Sequence, residues 1–313
     1  MVFSKNILVT GGAGFIGSNT VEKLIKDNEV TVIDNLSNVP DDRFIRNFQK
    51  MKNFHFLKRD LNELSTFQDL PRFDIIIHLA AHSDVRGGFE HPEVDFKQNV
   101  EATRNLLEFM RKKEIKELIF SSTSAVYGEA SVMPTPENYG PCKPISTYGA
   151  TKLADEALIS AYSSYYDFKA SIFRFANVVG KNSTHGAIFD FIRRLKENPK
   201  NLNILGDGTQ AKSYIYVSDC IDAMLFVHSK SKATDIFNLG NKGTTSIITI
   251  ANSVIKGLNL SNVKITLSGG YEGRGWRGDV KKTELSTEKV AAFGWKNQFG
   301  SDAAIEEAIK QLS

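Results

Sequence analysis

The sequence predicts an α/β protein in which a doubly wound parallel sheet is joined to a smaller C-terminal α/β lobe. Three observations predict this fold. Apolar strand-like runs alternate with helical periodicity along the first half of the chain, a glycine-rich turn follows the first strand, and turn-rich segments replace the alternation beyond about residue 177. A chain of 313 residues is long enough to bury a large core in one domain or two.

The first elements form a βαβ unit. Residues 6–10 form an apolar run typical of a buried strand, and Val21, Leu24 and Ile25 recur at helical spacing within 18–26. A second short strand is predicted at 30–33. The pattern then repeats, with strands predicted at 54–57, 75–79, 118–121 and 171–175 and helices at 99–112 and 147–165.

The apolar side chains of the two later helices are expected to face the core. In the helix at 99–112 these side chains are Val100, Leu106, Leu107 and Met110. In the helix at 147–165 they are Ala150, Leu153, Ala154, Ala157, Leu158, Ala161 and Tyr165.

The C-terminal part is expected to be mixed. Helices are predicted at 188–197 and 303–312, and the strand-like runs 214–217 and 236–239 are expected to return to the main sheet. We therefore predict a first domain over residues 1–176, to which segments within about 214–239 return. The lobe would be formed mainly by residues 177–313.

Composition excludes several classes of protein. Lys and Arg total 39 against 36 Asp and Glu, so the formal charge is only +3, and the scattered basic residues do not indicate nucleic-acid binding. No run of 18 uncharged apolar residues indicates a membrane span. The two cysteines and six dispersed histidines show no metal-ligand spacing, so no metal is predicted, and a reducing cytoplasm is expected.

The turn after the first strand has the spacing of a dinucleotide-binding site. Gly11, Gly14 and Gly17 follow a strand and open a helix, where a tight turn, close approach of a pyrophosphate and close helix packing each require glycine. Asp34 ends the second strand 20 residues after Gly14, where a carboxylate accepts hydrogen bonds from ribose hydroxyls and repels a 2′-phosphate. This arrangement favours NAD over NADP.

Tyr148 and Lys152 supply a candidate proton-transfer pair. Their spacing of four places them on one helix face, and a neighbouring ammonium favours the phenolate and so lowers the pKa of a tyrosine. A proton acceptor beside a hydride carrier indicates redox chemistry at a carbinol. Asp60 and the pair Ala80-Ala81 follow strands whose carboxyl ends would border the same ligand.

Taken in order, these motifs resemble the extended short-chain dehydrogenase/reductase family, and within it the nucleotide-sugar epimerases, particularly the UDP-glucose 4-epimerases. The resemblance spans nearly the whole chain and rests on the glycine run 11–17, Asp34, the runs 78–81 and 121–128, Tyr148 with Lys152, and the runs 174–180, 206–210 and 277–280.

The resemblance implies a role for each site residue. Tyr148 would take the proton of the sugar 4-hydroxyl, Lys152 would lower its pKa and hold the nicotinamide ribose, and Thr123 would hydrogen-bond the reacting oxygen. The implied substrate residues are Thr123, Asn177, Arg277 and Lys212, the last standing where the family usually has an arginine. The implied NAD-binding residues are Gly11, Gly14, Phe15, Ile16, Gly17, Asp34, Asn35, Asp60, Leu61, Leu79, Ala80, Ala81, Asn99, Ser121, Tyr148 and Lys152.

The implied reaction is epimerisation of a UDP-sugar through transient oxidation at C4, rotation of the 4-keto sugar and return of the hydride. Related dehydratases place Asp-Glu after the threonine, whereas this chain has Ser124-Ala125, which favours the epimerase. A 4,6-dehydratase, an epimerase of N-acetylhexosamine or glucuronate derivatives, and a non-catalytic NAD-binding regulator stay as alternatives. The resemblance also implies a homodimer through the helices at 99–112 and 147–165.

Overall fold

A computed structural model describes residues 3–313, and its centre is a parallel sheet of seven strands. Along the sheet the strands are ordered β11-β6-β5-β4-β1-β2-β3, and every neighbouring pair is parallel. The first six strands follow the order 3-2-1-4-5-6 of a dinucleotide-binding sheet. The predicted fold class is therefore confirmed, and the order of the strands reverses between β1 and β4.

The strand bounds follow the apolar runs closely. The main-sheet strands are β1 Asn6–Thr10, β2 Glu29–Asp34, β3 Phe54–Lys58, β4 Ile75–His78, β5 Glu117–Thr123, β6 Lys169–Phe175 and β11 Asp235–Leu239. The short strands outside it are β7 Asn177–Val179, β8 Asn201–Ile204, β9 Ala211–Lys212, β10 Tyr214–Tyr216, β12 Thr245–Ser246, β13 Lys264–Leu267 and β14 Lys282–Thr283.

The helices cover both faces of the sheet and build most of the lobe. Within residues 3–313 they are α1 Phe15–Leu24, α2 Pro92–Asp95, α3 Ala102–Lys112, α4 Thr147–Tyr166, α5 Ala187–Glu197, α6 Val217–Lys230, α7 Ile247–Gly257, α8 Glu288–Ala292 and α9 Ser301–Leu312. A π-helical stretch at Phe96–Glu101 connects α2 to α3. The predicted helix at 99–112 is therefore part of a longer helical segment.

Two large apolar cores lie on opposite faces of the sheet. Because side chains alternate along a strand, Ile7 and Val9 enter one core while Leu8 enters the other. The second core receives Leu106, Leu107 and Met110 of α3, as predicted, whereas Val100 is only half-buried.

The prediction for the core-facing side of α4 is wrong for five of its seven residues, whereas Leu153 and Leu158 each pack against an apolar cluster. Its buried residues are Gly149, Thr151, Lys152, Asp155, Glu156 and Ile159. The residues predicted to be buried are exposed or half-buried, namely Ala150, Leu153, Ala154, Ala157, Leu158, Ala161 and Tyr165, the last being 77% exposed. Ion pairs formed inside the protein allow this inversion, since Lys152 pairs with Asp155 and Glu156 with Arg174. Apolar periodicity alone cannot anticipate such pairs.

Of the two segments expected to return to the main sheet, only one joins it. β11 adds an edge strand beside β6, with Phe237 opposite Phe173. β10 instead pairs with β7 in a separate sheet, with Tyr214 opposite Asn177. The domain boundary at residues 176 and 177 stays a prediction, and it falls between β6 and β7.

None of the helices within residues 3–313 is both long enough and apolar enough to cross a lipid bilayer.

Candidate active site

A cleft of about 810 Å³ lies between the carboxyl ends of the main-sheet strands and the C-terminal lobe. The sheet side contributes the glycine turn, Thr123 and Tyr148, and the lobe side contributes Lys212 and Asp279. A ligand site at this edge follows from the topology, because the reversal of strand order separates the loops after β1 and β4.

The glycine turn is shaped by backbone contacts that exclude side chains. Gly11 has a φ of +69°, and a Cβ there would lie 2.6 Å from the backbone nitrogen of Ala80. At Gly17 a Cβ would lie 2.0 Å from the carbonyl oxygen of Gly11. α1 begins after Gly14 with no side-chain cap, so its first backbone N–H groups remain available to an anion such as a pyrophosphate.

Asp34 lies beside this turn at the end of β2. Its carboxylate accepts hydrogen bonds from the backbone N–H of Ala13 at 2.9 Å and of Leu36 at 2.8 Å. Burial raises its pKa, while these two hydrogen bonds oppose the rise. Both the carboxylate and the neighbouring Asn35 line the cleft, as predicted for groups that contact a ribose, and Asn35 donates to Asp60 at 3.0 Å.

The remaining predicted cofactor residues mostly lie along the same wall. Those that line the cleft are Phe15, Ile16, Leu61, Leu79, Ala80, Ala81 and Ser121. Asn99 differs because it is buried behind the wall, where it accepts from the backbone N–H of His82 and donates to Thr151. Its position supports the loop after β4 and α4, and it does not itself line the cleft.

Thr123 and Tyr148 both line the cleft and lie close to one another. Thr123 ends β5, and Tyr148 lies in the first turn of α4, which Ser146 caps by accepting from the backbone N–H of Gly149 at 3.1 Å. Tyr148 is half-buried, and the resulting loss of solvation raises the pKa of its hydroxyl to about 12. Hydrogen bonding to Thr123 lowers that pKa, and the charges of Asp155 and Asp95 raise it.

Lys152 lies one helical turn beyond Tyr148 but points into the core. Its side chain is 1% exposed, its ammonium lies 3.5 Å from a carboxylate oxygen of Asp155, and it sits 3.8 Å from the ring centroid of Phe120. Among residues 3–313 no hydrogen bond joins the Lys152 ammonium to the Tyr148 hydroxyl. The structure therefore places the two residues on one helix but does not bring their polar groups together.

The lobe supplies charged groups opposite the tyrosine. Lys212 lines the cleft and pairs with Asp279 at 2.6 Å, and Asn177 lines it while donating to the carbonyl oxygen of Ser213 at 3.3 Å. Arg277 does not line the cleft. Its guanidinium stacks on Tyr271 at 4.3 Å and Phe89 at 5.3 Å, as an exposed arginine does beside aromatic rings.

Sequence reasoning missed several residues that the fold brings to the cleft. His82 donates or accepts through Nδ1 at 2.7 Å from the fully buried Asp95, and its position just after Ala80-Ala81 at a strand end was the available signal. Gln210, Trp276 and Asp279 also line the cleft. Gln210 and Asp279 belong to runs already singled out and Trp276 directly precedes one of them, but spacing alone did not show which side chains turn inward.

The model of the NAD-dependent epimerase/dehydratase family matches residues 7–240. The chain belongs to this family. A putative UDP-glucose 4-epimerase of Methanocaldococcus jannaschii is 33% identical over 312 residues, covering 98% of this chain and 96% of that relative. A crystal structure of a UDP-galactose 4-epimerase is 36% identical, superposes with a TM-score of 0.87, and is covered over 98% of both chains.

A third relative shows the range of sugars among these proteins. The UDP-N-acetylglucosamine 4-epimerase of Methanobrevibacter ruminantium, solved with UDP-N-acetylmuramic acid, is 28% identical with a TM-score of 0.88, covering 99% of this chain and 98% of that one. The family assignment makes this chain an extended short-chain dehydrogenase/reductase of the nucleotide-sugar epimerase type.

NAD is the cofactor of this epimerase, and the residues present fit it. Gly11 and Gly17 leave only backbone at the turn, the uncapped N-terminus of α1 faces the cleft, and Asp34 lies where the adenosine ribose would be held. NAD, when bound, supplies the acceptor and donor of the hydride.

Proposed function

We propose that this chain is a UDP-hexose 4-epimerase that interconverts UDP-glucose and UDP-galactose. The meeting of Thr123 and Tyr148 in a cleft built for a dinucleotide carries the proposal. A hydroxyl pair at that position suits a sugar alcohol whose proton is removed and returned. The similarity to UDP-glucose and UDP-galactose 4-epimerases supports the choice of substrate.

Each residue near the reacting carbon has a defined task in this proposal. Thr123 holds the C4 oxygen by a hydrogen bond, and Tyr148 takes the C4 hydroxyl proton as the hydride leaves the same carbon. After the 4-keto sugar has turned about its diphosphate, Tyr148 returns the proton to the oxygen. Because one proton is removed and returned, no second acid or base is needed.

The far end of the substrate is assigned to the lobe. Lys212 lies in the cleft as a cation, and Asn177 offers an amide beside it, which suits a diphosphate. A lysine acts as a point charge and does not fix the direction of the oxygens as an arginine fork does. We infer that this looser grip suits an intermediate that must rotate. Arg277 is proposed to reach the diphosphate only if it leaves Tyr271 and Phe89.

A 4,6-dehydratase is disfavoured by the residues after Thr123. Elimination across C5 and C6 needs acid and base groups beside those carbons, and the two following positions are Ser124 and Ala125, both of which line the cleft. The uncharged pair supplies no carboxylate at these two positions. Rotation and reduction are then the favoured outcome.

The test is a product assay with a panel of substrates. Purified protein loaded with NAD is mixed separately with UDP-galactose, UDP-N-acetylglucosamine and UDP-glucuronate, and the products are followed by NMR. UDP-glucose formed from UDP-galactose faster than the other two pairs interconvert would support the proposal. Preference for another pair would reassign the sugar, and a 4-keto-6-deoxy product would indicate a dehydratase.

We also infer a homodimer formed through α3 and α4. The outward face of α4 carries Ala157, Ala161 and the largely exposed Tyr165, and Phe96 lies 54% exposed before α3. Exposed apolar side chains on two neighbouring helical segments favour contact with a partner over contact with water.

The unpaired thiols Cys142 and Cys220 fit the proposed reducing cytoplasm.

A further inference from the structure

Asp155 is a fully buried carboxylate that the proposed reaction does not use. It is 0% exposed, and neither of its oxygens has a hydrogen bond of normal length among residues 3–313. Thr103 is close enough to lower the pKa of Asp155 without making such a bond. The ammonium of Lys152, at 3.5 Å, is therefore the group that offsets its charge.

The other titratable groups that face this pair are either paired with other residues or uncharged. Glu156 on the same helix holds Arg174 through three hydrogen bonds, and its remaining partner is Ser122. His78 on β4 is neutral, because burial and the charge of Lys152 lower its pKa to about 3. Asp155 is thus the nearest counter-ion that Lys152 has.

The surroundings of Lys152 otherwise oppose its charge. Burial lowers the pKa of the ammonium, and Asp155 is the leading group that raises it again. For Asp155 itself, burial raises the pKa to about 6, and Lys152 holds it from rising further. Each charge in the pair therefore depends on the other.

We propose that Asp155 is a positioning residue that keeps the Lys152 ammonium charged one helical turn from Tyr148. The inference rests on the proposed epimerase function and on the role that the resemblance implies for Lys152, whose positive charge would promote ionisation of Tyr148. Asp155 does not help Tyr148 directly, because its own negative charge raises the tyrosine pKa. Any benefit must therefore pass through Lys152.

The first experiment compares pH–rate profiles of wild type, Asp155→Asn and Glu156→Gln on UDP-galactose. Glu156→Gln is the matched control because it also removes a buried carboxylate from α4, but one that pairs with Arg174. Asp155→Asn should move the alkaline limb of kcat to lower pH by about one unit or more, because Lys152 loses its proton earlier. The limb of Glu156→Gln should move less than that of Asp155→Asn, because the charge of Glu156 contributes less to the pKa of Lys152 than that of Asp155.

Several outcomes would overturn the proposal. An alkaline limb of Asp155→Asn that coincides with that of wild type would show that the carboxylate does not set the charge of Lys152. An equal shift in Glu156→Gln would show a general effect of destabilising α4. A uniform loss of kcat at all pH values would show a merely structural role.

A second measurement needs no substrate and so separates this inference from the epimerase assignment. Denaturant unfolding is followed from pH 6 to 9 for Asp155→Asn, with and without Lys152→Met. The pKa of Lys152 is lowered in the folded state, so the unfolded state binds more protons and stability rises with pH. That rise should begin at lower pH in Asp155→Asn than in wild type and disappear in the double variant.

If Asp155→Asn does not fold, Lys152→Met tests the same pair from the other side. Asp155 then loses the charge that lowers its pKa, so the folded state binds its proton more tightly than the unfolded chain does. The stability of this variant should therefore fall relative to that of wild type as pH rises above about 6. Parallel profiles for the two proteins would overturn the proposal.

Discussion

Removing one oxygen atom from Tyr148 tests the centre of the proposed mechanism. Burial raises the pKa of this hydroxyl to about 12, so about one molecule in 10⁴ would carry the phenolate at pH 8 without further help. The enzyme must therefore place positive charge near the Tyr148 oxygen to favour the phenolate. Catalysis in such a site should depend strongly on the presence of that oxygen. General base catalysis by a positioned group is worth about 10²–10⁴-fold, so kcat of Tyr148→Phe should fall by that factor.

The assay measures kcat and KM for UDP-galactose together with NAD affinity by calorimetry. NAD affinity and KM should stay within roughly threefold of wild type, since only proton transfer is removed. Tyr127→Phe is a matched control, because Tyr127 is a buried tyrosine that does not line the cleft and donates to Asn238 at 2.8 Å. It should cost about 1 kcal/mol of stability and leave kcat nearly unchanged. A kcat for Tyr148→Phe within about tenfold of wild type would place the base elsewhere.

Further substitutions test the other parts of the site. Asp34→Ala should weaken NAD binding and relax discrimination against NADP, because the carboxylate that repels a 2′-phosphate is gone; an unchanged ratio of the two dissociation constants would refute this role. Gly17→Ala should abolish NAD binding, measured by calorimetry, because its Cβ would lie 2.0 Å from the carbonyl oxygen of Gly11, and normal affinity would contradict the geometry. Lys212→Ala should raise KM for UDP-galactose about tenfold or more, whereas Lys212→Arg, which keeps the positive charge, should retain most of the affinity. An equal rise of KM in the two variants would argue against a contact between this charge and the substrate. Ala157→Arg should give a folded monomer in sedimentation experiments, and an intact dimer would move the interface away from α4.

Much of the fold followed from local pattern. The first strands are short and mostly apolar runs, so β1 coincides with the predicted residues 6–10 and β3 extends one residue beyond the predicted 54–57. The glycine turn was equally visible, because each glycine meets a steric requirement set by atoms nearby in the chain. Gly17, for instance, faces the carbonyl of Gly11 within the same turn.

The orientation of α4 was not visible in the same way. Its alanines suggested a core face, but Glu156 is neutralised by Arg174 on β6, which lies 18 residues further along the chain. Pairing of this kind lowers the free-energy cost of burying a charged helix face. The small apolar residues are then left on the outside, where the proposed dimer would cover them.

The sequence by itself determined the dinucleotide half of this protein, since a strand, a glycine turn and Asp34 act within one continuous stretch of about 30 residues. Tertiary structure decided where the other polar groups point. It brought Thr123 from β5 to Tyr148 on α4, put Asp279 beside Lys212, stacked Arg277 outside the cleft, and turned Lys152 towards Asp155. The physical reason is that spacing fixes only the face of an element on which a residue lies, whereas the direction of a long charged side chain is set by counter-ions and rings from other parts of the chain.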